Sequence, residues 1–348
     1  MLFSRKDRRY QYQKRLKGRT GEMERQLPIR DIYAREILDA RGCSAVEVEI
    51  LAGEDIIGTA AVSLLSSCGE ERTGSEDAAH AIENINCHIA QILIGKNIFD
   101  QEEIDSETVR LDGTMDKHVL GGEIILGVSA AAARTAAGAL GIPLYRYLGG
   151  AQANRMPVPV VEIMTSVPCA ETVPDIQGAV IVPAAKSPFH DQLWACSRVY
   201  HEIGHILRSR GPAQMRDQES GPESGLRDEE EILRVIRDAA ERTGYRLGED
   251  MMAALDGEES GWYDAVRVDI GLSGTLTEIF AVVKKAREAG RLIEISHSGN
   301  RTADTLVSDI AVASCAAYIR AGSLCGMEHA ERYNRLLRIE EQIGREIS

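Results

Sequence analysis

From Pro157 onward the chain alternates strand and helix, and this alternation limits its architecture more than any other feature. Apolar, β-branched strand candidates fall at 157–163, 176–183, 251–256, 264–270, 292–296 and 317–320. Helix-spaced segments fall around 187–210, 228–244, 275–289, 302–315 and 328–345. Such alternation specifies β/α units with a parallel sheet. Six strands are two short of a (β/α)₈ barrel, and roughly 190 residues are fewer than the ~250 typical of one. The rhythm also breaks once. Between Asp256 and Asp264 stands only "GEESGWY", whereas a parallel crossover needs about a dozen residues or more. The strands on either side therefore cannot be parallel neighbours joined in the usual way. An antiparallel hairpin, a strand leaving the sheet, or a partner chain filling the gap would each resolve the conflict.

The part before this alternation reads differently. "AVEVEI" (45–50) alternates as a half-buried strand and "GTAAV" (58–62) suggests another. Residues 77–95 and 122–140 have helical spacing, the second rich in alanine. The expected fold is an α+β N-terminal domain followed by an incomplete α/β (TIM-like) barrel. Its divisions are a basic extension at 1–28, an α+β domain at 29–150 and a truncated barrel domain at 151–348.

Charge narrows the function classes. The net charge is −14, yet residues 1–28 hold nine Lys or Arg against three acids, so the rest of the chain is strongly acidic. That body argues against nucleic-acid binding, and the basic arm reads as a solvated tail, with a nucleic-acid, anionic-membrane or organelle-targeting role as alternatives. No apolar run is expected to span a membrane. The seven cysteines form no CxxC pair and fit reduced thiols in a cytoplasm. One local oddity is Gly178, just after "DIQ", where a buried strand gains nothing from a missing side chain.

Several stretches, in order, resemble the enolase family: "AREILDARG" (34–42), "LDGT" (111–114) with Lys117, "MPVPV" (156–160), "DIQ" (175–177), "GTLTE" (274–278), "ISH" (295–297) and "RYNRLLRIEE" (332–341). The resemblance implies phosphopyruvate hydratase activity, the glycolytic conversion of 2-phosphoglycerate to phosphoenolpyruvate. It also implies Mg²⁺ as cofactor and a dimer. In this chemistry a carbon acid beside a carboxylate loses a proton to a lysine, Mg²⁺ holds the resulting charge, and a glutamate pair helps hydroxide leave.

Carried over residue by residue, that constellation is incomplete. Gly178 stands where the family has a glutamate, and "DQESG" (217–221) puts Glu219 in the place of the other acid. Asp269 falls on the lysine base; an ordinary aspartate lies about six pKa units below a lysine and adds negative charge beside the developing dianion. Of three metal carboxylates only Asp256 is matched, so the expectation is a weak or absent Mg²⁺ site. Substrate contacts are matched at Ser67, Gln177 and His297, while Arg320 replaces a lysine. Ser298 stands for a phosphate-gripping arginine, and Cys169 replaces a mobile-loop histidine. Arg301 lies three residues beyond Ser298 and is not a simple substitute for that arginine. The expected protein is a cytoplasmic homo-oligomer, without hydratase activity, that acts by binding or assembly and takes a 2-phosphoglycerate-like small acid. The alternative is a weak or remodelled Mg²⁺-dependent lyase acting on a small carboxylate.

Overall fold

The structure, a computed structural model, describes residues 26–64, 75–165, 178–209, 229–255 and 264–347. Three antiparallel strands open it: β1 (Ile29–Leu38), β2 (Ser44–Ala52) and β3 (Ile56–Ser63), in the order β1-β2-β3. Alternate residues of β2, among them Val46, Val48 and Ile50, are buried. They pack under α4 (Gly122–Leu140), which lies on β2 and β3. Before it come α1 (Ser75–Glu83), a π-helical turn (Asn84–Ile89), α2 (Ala90–Leu93) and α3 (Gln101–Asp112). By length and apolar composition α4 is long enough to cross a membrane, which corrects the expectation that no apolar run is. Its residues are instead mostly buried as a core helix.

After α5 (Leu144–Gly149), a six-stranded sheet is built from β4 (Val158–Thr165), β5 (Gly178–Pro183), β6 (Met251–Leu255), β7 (Ala265–Asp269), β8 (Leu292–Ser296) and β9 (Tyr318–Ser323). Its order is β6-β5-β4-β9-β8-β7. The helices are α6 (Phe189–Ser209), α7 (Glu229–Arg242), the single turn α8 (Ile270–Ser273), α9 (Leu276–Glu288), α10 (Leu306–Ala313) and α11 (Met327–Ile347). The positions read from periodicity agree to within a few residues, but one direction does not. β5 is antiparallel to both β4 and β6, while the other pairs are parallel. Two helices in succession, α6 and α7, separate β5 from β6. Each element reverses the chain's direction, so β6 emerges parallel to β4 and antiparallel to β5.

β6 and β7, the strands flanking "GEESGWY", occupy opposite edges of the sheet. They are not parallel neighbours, as the short connection required. Neither do they pair as a hairpin, and neither leaves the sheet.

The pleat sorts the sheet's residues cleanly. Val161, Ile163, Ile181, Ile293, Ile295 and Ile319 point outward into the main core with the helices. Val160, Val180 and Val182 form a separate small cluster with Val158, Ala254 and Tyr318. Register extends that second face into two rows. One runs Arg267, Glu294, Tyr318, Val158, and the next runs Asp269, Ser296, Arg320, Val160. Alternation thus aims a charged layer to the same side as the valines, with Asp269 and Ser296 at the C-terminal ends of β7 and β8.

Candidate functional site

Asp269 ends β7 and caps α8. One carboxylate oxygen accepts the Gly271 N–H at 3.0 Å. The other accepts the Ser298 N–H at 3.0 Å and the Ser296 hydroxyl at 3.3 Å. Three of the roughly four acceptor positions of a carboxylate are therefore used in tying β7, α8 and the segment after β8 together. The residue that the resemblance places at the base position is thus held by the scaffold.

Arg320, on β9, is buried, and its Nε donates to Glu294 Oε1 at 3.1 Å. Arg267 Nε donates to the same oxygen at 2.9 Å, and Glu162 Oε1 lies 3.8 Å from Arg320 Nη1. The Glu294 side chain is fully buried, so a carboxylate there requires these cations. The sequence signal for this cluster is a glutamate in the middle of a buried strand, "LIEIS".

His297 and a residue that the family resemblance does not single out meet at the seam between the two parts of the molecule. Glu123 lies in the first turn of α4, and its Oε2 is 3.5 Å from His297 Nε2. Both side chains are almost completely buried, and neither of these atoms has a hydrogen-bond partner among the described residues. Burial pushes the Glu123 carboxyl up; His297 opposes this, Asp269 adds to it and Arg332 opposes it. Gly271 makes the convergence possible. A Cβ there would overlap Glu123 Oε1 and stand 3.2 Å from His297 Cδ2 and 3.4 Å from Asp269 Oδ1.

Beside His297 is a cavity of about 230 Å³, smaller than the roughly 300–1,000 Å³ of sites for drug-sized ligands. Arg41, Arg301, Arg320 and Arg332 line it with Glu162 and Glu328. Ser296, Ser298 and Asn300 add polar groups. Arg332 is 2 % exposed; it donates to the carbonyls of Ala321, at 3.3 Å, and Asn300. Among the described residues no carboxylate stands within ion-pair distance of it, and its Nε has no hydrogen-bond partner. Burial pushes its pKa down against the pull of Asp304 and Glu328. His329, also in the wall, is pushed below its ordinary value by burial and by Arg332.

The structure thus brings Asp269, His297 and Arg320 to one end of the sheet. Ser67, Gln177, Glu219 and Asp256 lie outside the described residues, as does Cys169. Gly178, which the resemblance aligns with a glutamate, has φ 137°, a conformation that side-chain-bearing L-residues rarely adopt. Among the described residues no three His, Cys, Asp or Glu gather where they would hold a metal ion. These residues do not supply a Mg²⁺ cage, and no step is derived through one. The five described cysteines are free thiols.

Two family models match this chain. One, described as the N-terminal domain of enolase, covers residues 29–148. The other, the C-terminal TIM barrel domain of enolase, matches 153–272 and 259–348. The chain belongs to the enolase family. The two barrel matches overlap at 259–272. The overlap takes in the end of the short connection between β6 and β7, all of β7 and most of α8.

Proposed function

We propose that this enolase-family protein binds a small anion in the cavity beside His297 and does not catalyse the family's hydratase reaction. The observation that carries the reading is Asp269. It stands at the base position with both oxygens accepting hydrogen bonds from the scaffold, where the chemistry asks for a free lysine. Gly178 removes one acid of the glutamate pair. Each such loss typically costs several kcal/mol of transition-state stabilisation. The buried Arg332 guanidinium, with no carboxylate at ion-pair distance among the described residues, favours an anion, and the cavity's volume favours a phosphate- or small-carboxylate-sized one. Self-association through β1, where Tyr33 and Leu38 are exposed, belongs to the same proposal.

The alternative, a remodelled lyase acting on a small carboxylate, is favoured by one observation: an imidazole in the cavity wall backed by a carboxyl group. An absorbance assay for phosphoenolpyruvate formed from 2-phosphoglycerate with excess Mg²⁺ tests the main reading. Folded protein should give no product. Turnover that Glu219→Gln abolishes would establish a working hydratase and end the proposal.

A further inference from the structure

We infer that the cavity takes up its anion together with a proton, and that the Glu123–His297 pair is where this proton resides. The inference rests on the reading that the cavity holds a small anion. His297 is shared between two environments: it lines the cavity, and its buried Nε2 faces Glu123 Oε2 at 3.5 Å. Neither facing atom has a hydrogen-bond partner among the described residues. A proton between them would satisfy both atoms; the neutral Nε2–H tautomer supplies one without uptake, and it is the charge of the pair that links an added proton to the anion.

The charge argument does not depend on which residue carries the proton. Without it the pair is a carboxylate and a neutral imidazole, with a charge of minus one. With it the pair is neutral overall, whether written as carboxylate and imidazolium or as carboxylic acid and imidazole. An anion in the cavity is repelled by the first state and not by the second, and in a buried site that difference is large. Binding therefore draws a proton from solvent, and only an N–H or O–H bond is made. By reciprocity, the anion raises the pair's proton affinity by the same factor by which the proton raises anion affinity.

The surroundings of the pair bear on this in both directions. Asp269 and Arg332 act on Glu123 with opposite signs, Asp269 favouring the added proton and Arg332 opposing it. In the cavity wall stand Arg41, Arg301 and Arg320, which do not titrate in the relevant range, and Glu162 and Glu328. His329 is the other imidazole there and the competing proton acceptor. Placing Glu123 in α4 and His297 after β8 means that the proton also joins the N-terminal part of the molecule to the sheet.

Calorimetric titration of the full chain with sulfate, a dianion throughout the range, tests the inference across about pH 5.5 to 8.5. Uptake of one proton makes the affinity fall by up to tenfold per pH unit as pH rises. Repeating the titration in buffers of different ionisation enthalpy counts the protons directly. Glu123→Gln removes the carboxylate that supports the imidazolium, so the midpoint of the pH dependence should move to lower pH. Sulfate should also shift the His297 ring resonances in the unsubstituted protein, a readout that needs no variant to fold. Sulfate binding without proton uptake would overturn the inference and leave the anion site standing. A pH dependence unmoved by Glu123→Gln but abolished by His329→Gln would also overturn it, by assigning the proton to His329. Absence of sulfate binding by folded protein at every pH would end the anion-site reading itself.

Discussion

Two buried acid–base contacts join the same helix, α4, to the sheet region, and they are built in opposite ways. Toward the C-terminal half of α4, Arg134 grips Asp304 with two parallel hydrogen bonds of 2.6 and 2.8 Å. The Ala61 and Leu306 N–H groups complete the carboxylate at 2.9 and 2.8 Å. At the first turn, Glu123 and His297 face each other at 3.5 Å without a hydrogen bond. Both contacts border a cavity. The first is closed, whereas the second leaves buried polar atoms without hydrogen-bond partners among the described residues. A fully paired buried charge holds a structure together, whereas an incompletely paired one is costly and marks a place where something else takes part.

Replacing Asp304 with Ala should have the largest effect. It leaves Arg134 buried without its partner, at a cost of about 3–5 kcal/mol, read as a lower denaturant midpoint at unchanged slope. The acid limb follows from the same contact. Burial alone would push the Asp304 carboxyl up, but Arg134 and the two backbone donors hold it down to about 2. Its folded value is below the unfolded one, near 3.9. The pair's contribution is therefore present above about pH 4 and lost as pH falls toward 2, and the variant should lack this part of the acid transition.

An intermediate effect is expected at the open contact. Gly271→Ala places a methyl group against Glu123 Oε1, so Glu123 must move. The cost should be about 1–3 kcal/mol, with a change in the His297 ring resonances. If stability and resonances both stay unchanged, the convergence at Gly271 is not what positions the pair. Glu123→Gln should have the smallest effect, within about 1 kcal/mol in thermal or denaturant unfolding near neutral pH. Relief from a poorly satisfied buried charge offsets the weakened attraction to His297. A destabilisation as large as that of Asp304→Ala would erase the distinction between the two contacts.

The architecture is largely legible in the sequence. Hydrophobic period and turn residues place strands such as 292–296 and helices such as 122–140, because these signals are local. The direction of β6 is not legible, since it depends on the passage of two consecutive helices after β5 rather than on the strand itself. The resemblance draws attention to Asp269 at the end of β7, but not to its hydrogen bonds to residues 27 and 29 positions further along. Glu123 escapes notice because it sits in an alanine-rich helix whose pattern reads as core; its partner His297 is more than 170 residues away. Arg332 is hidden within "RYNRLLRIEE", a stretch that marks descent without showing what each of its residues touches.

The central claim is that Asp269 serves the scaffold and not proton abstraction. The most direct measurement is deuterium exchange at the acidic carbon of 2-phosphoglycerate in heavy water with excess Mg²⁺, which detects the base step even if hydroxide never leaves. The account predicts incorporation no faster than in buffer, with Asp269→Asn equally inert and less stable by about 1–2 kcal/mol from its weakened cap. Exchange well above the buffer rate that Asp269→Asn abolishes would show a working base at the end of β7 and contradict it.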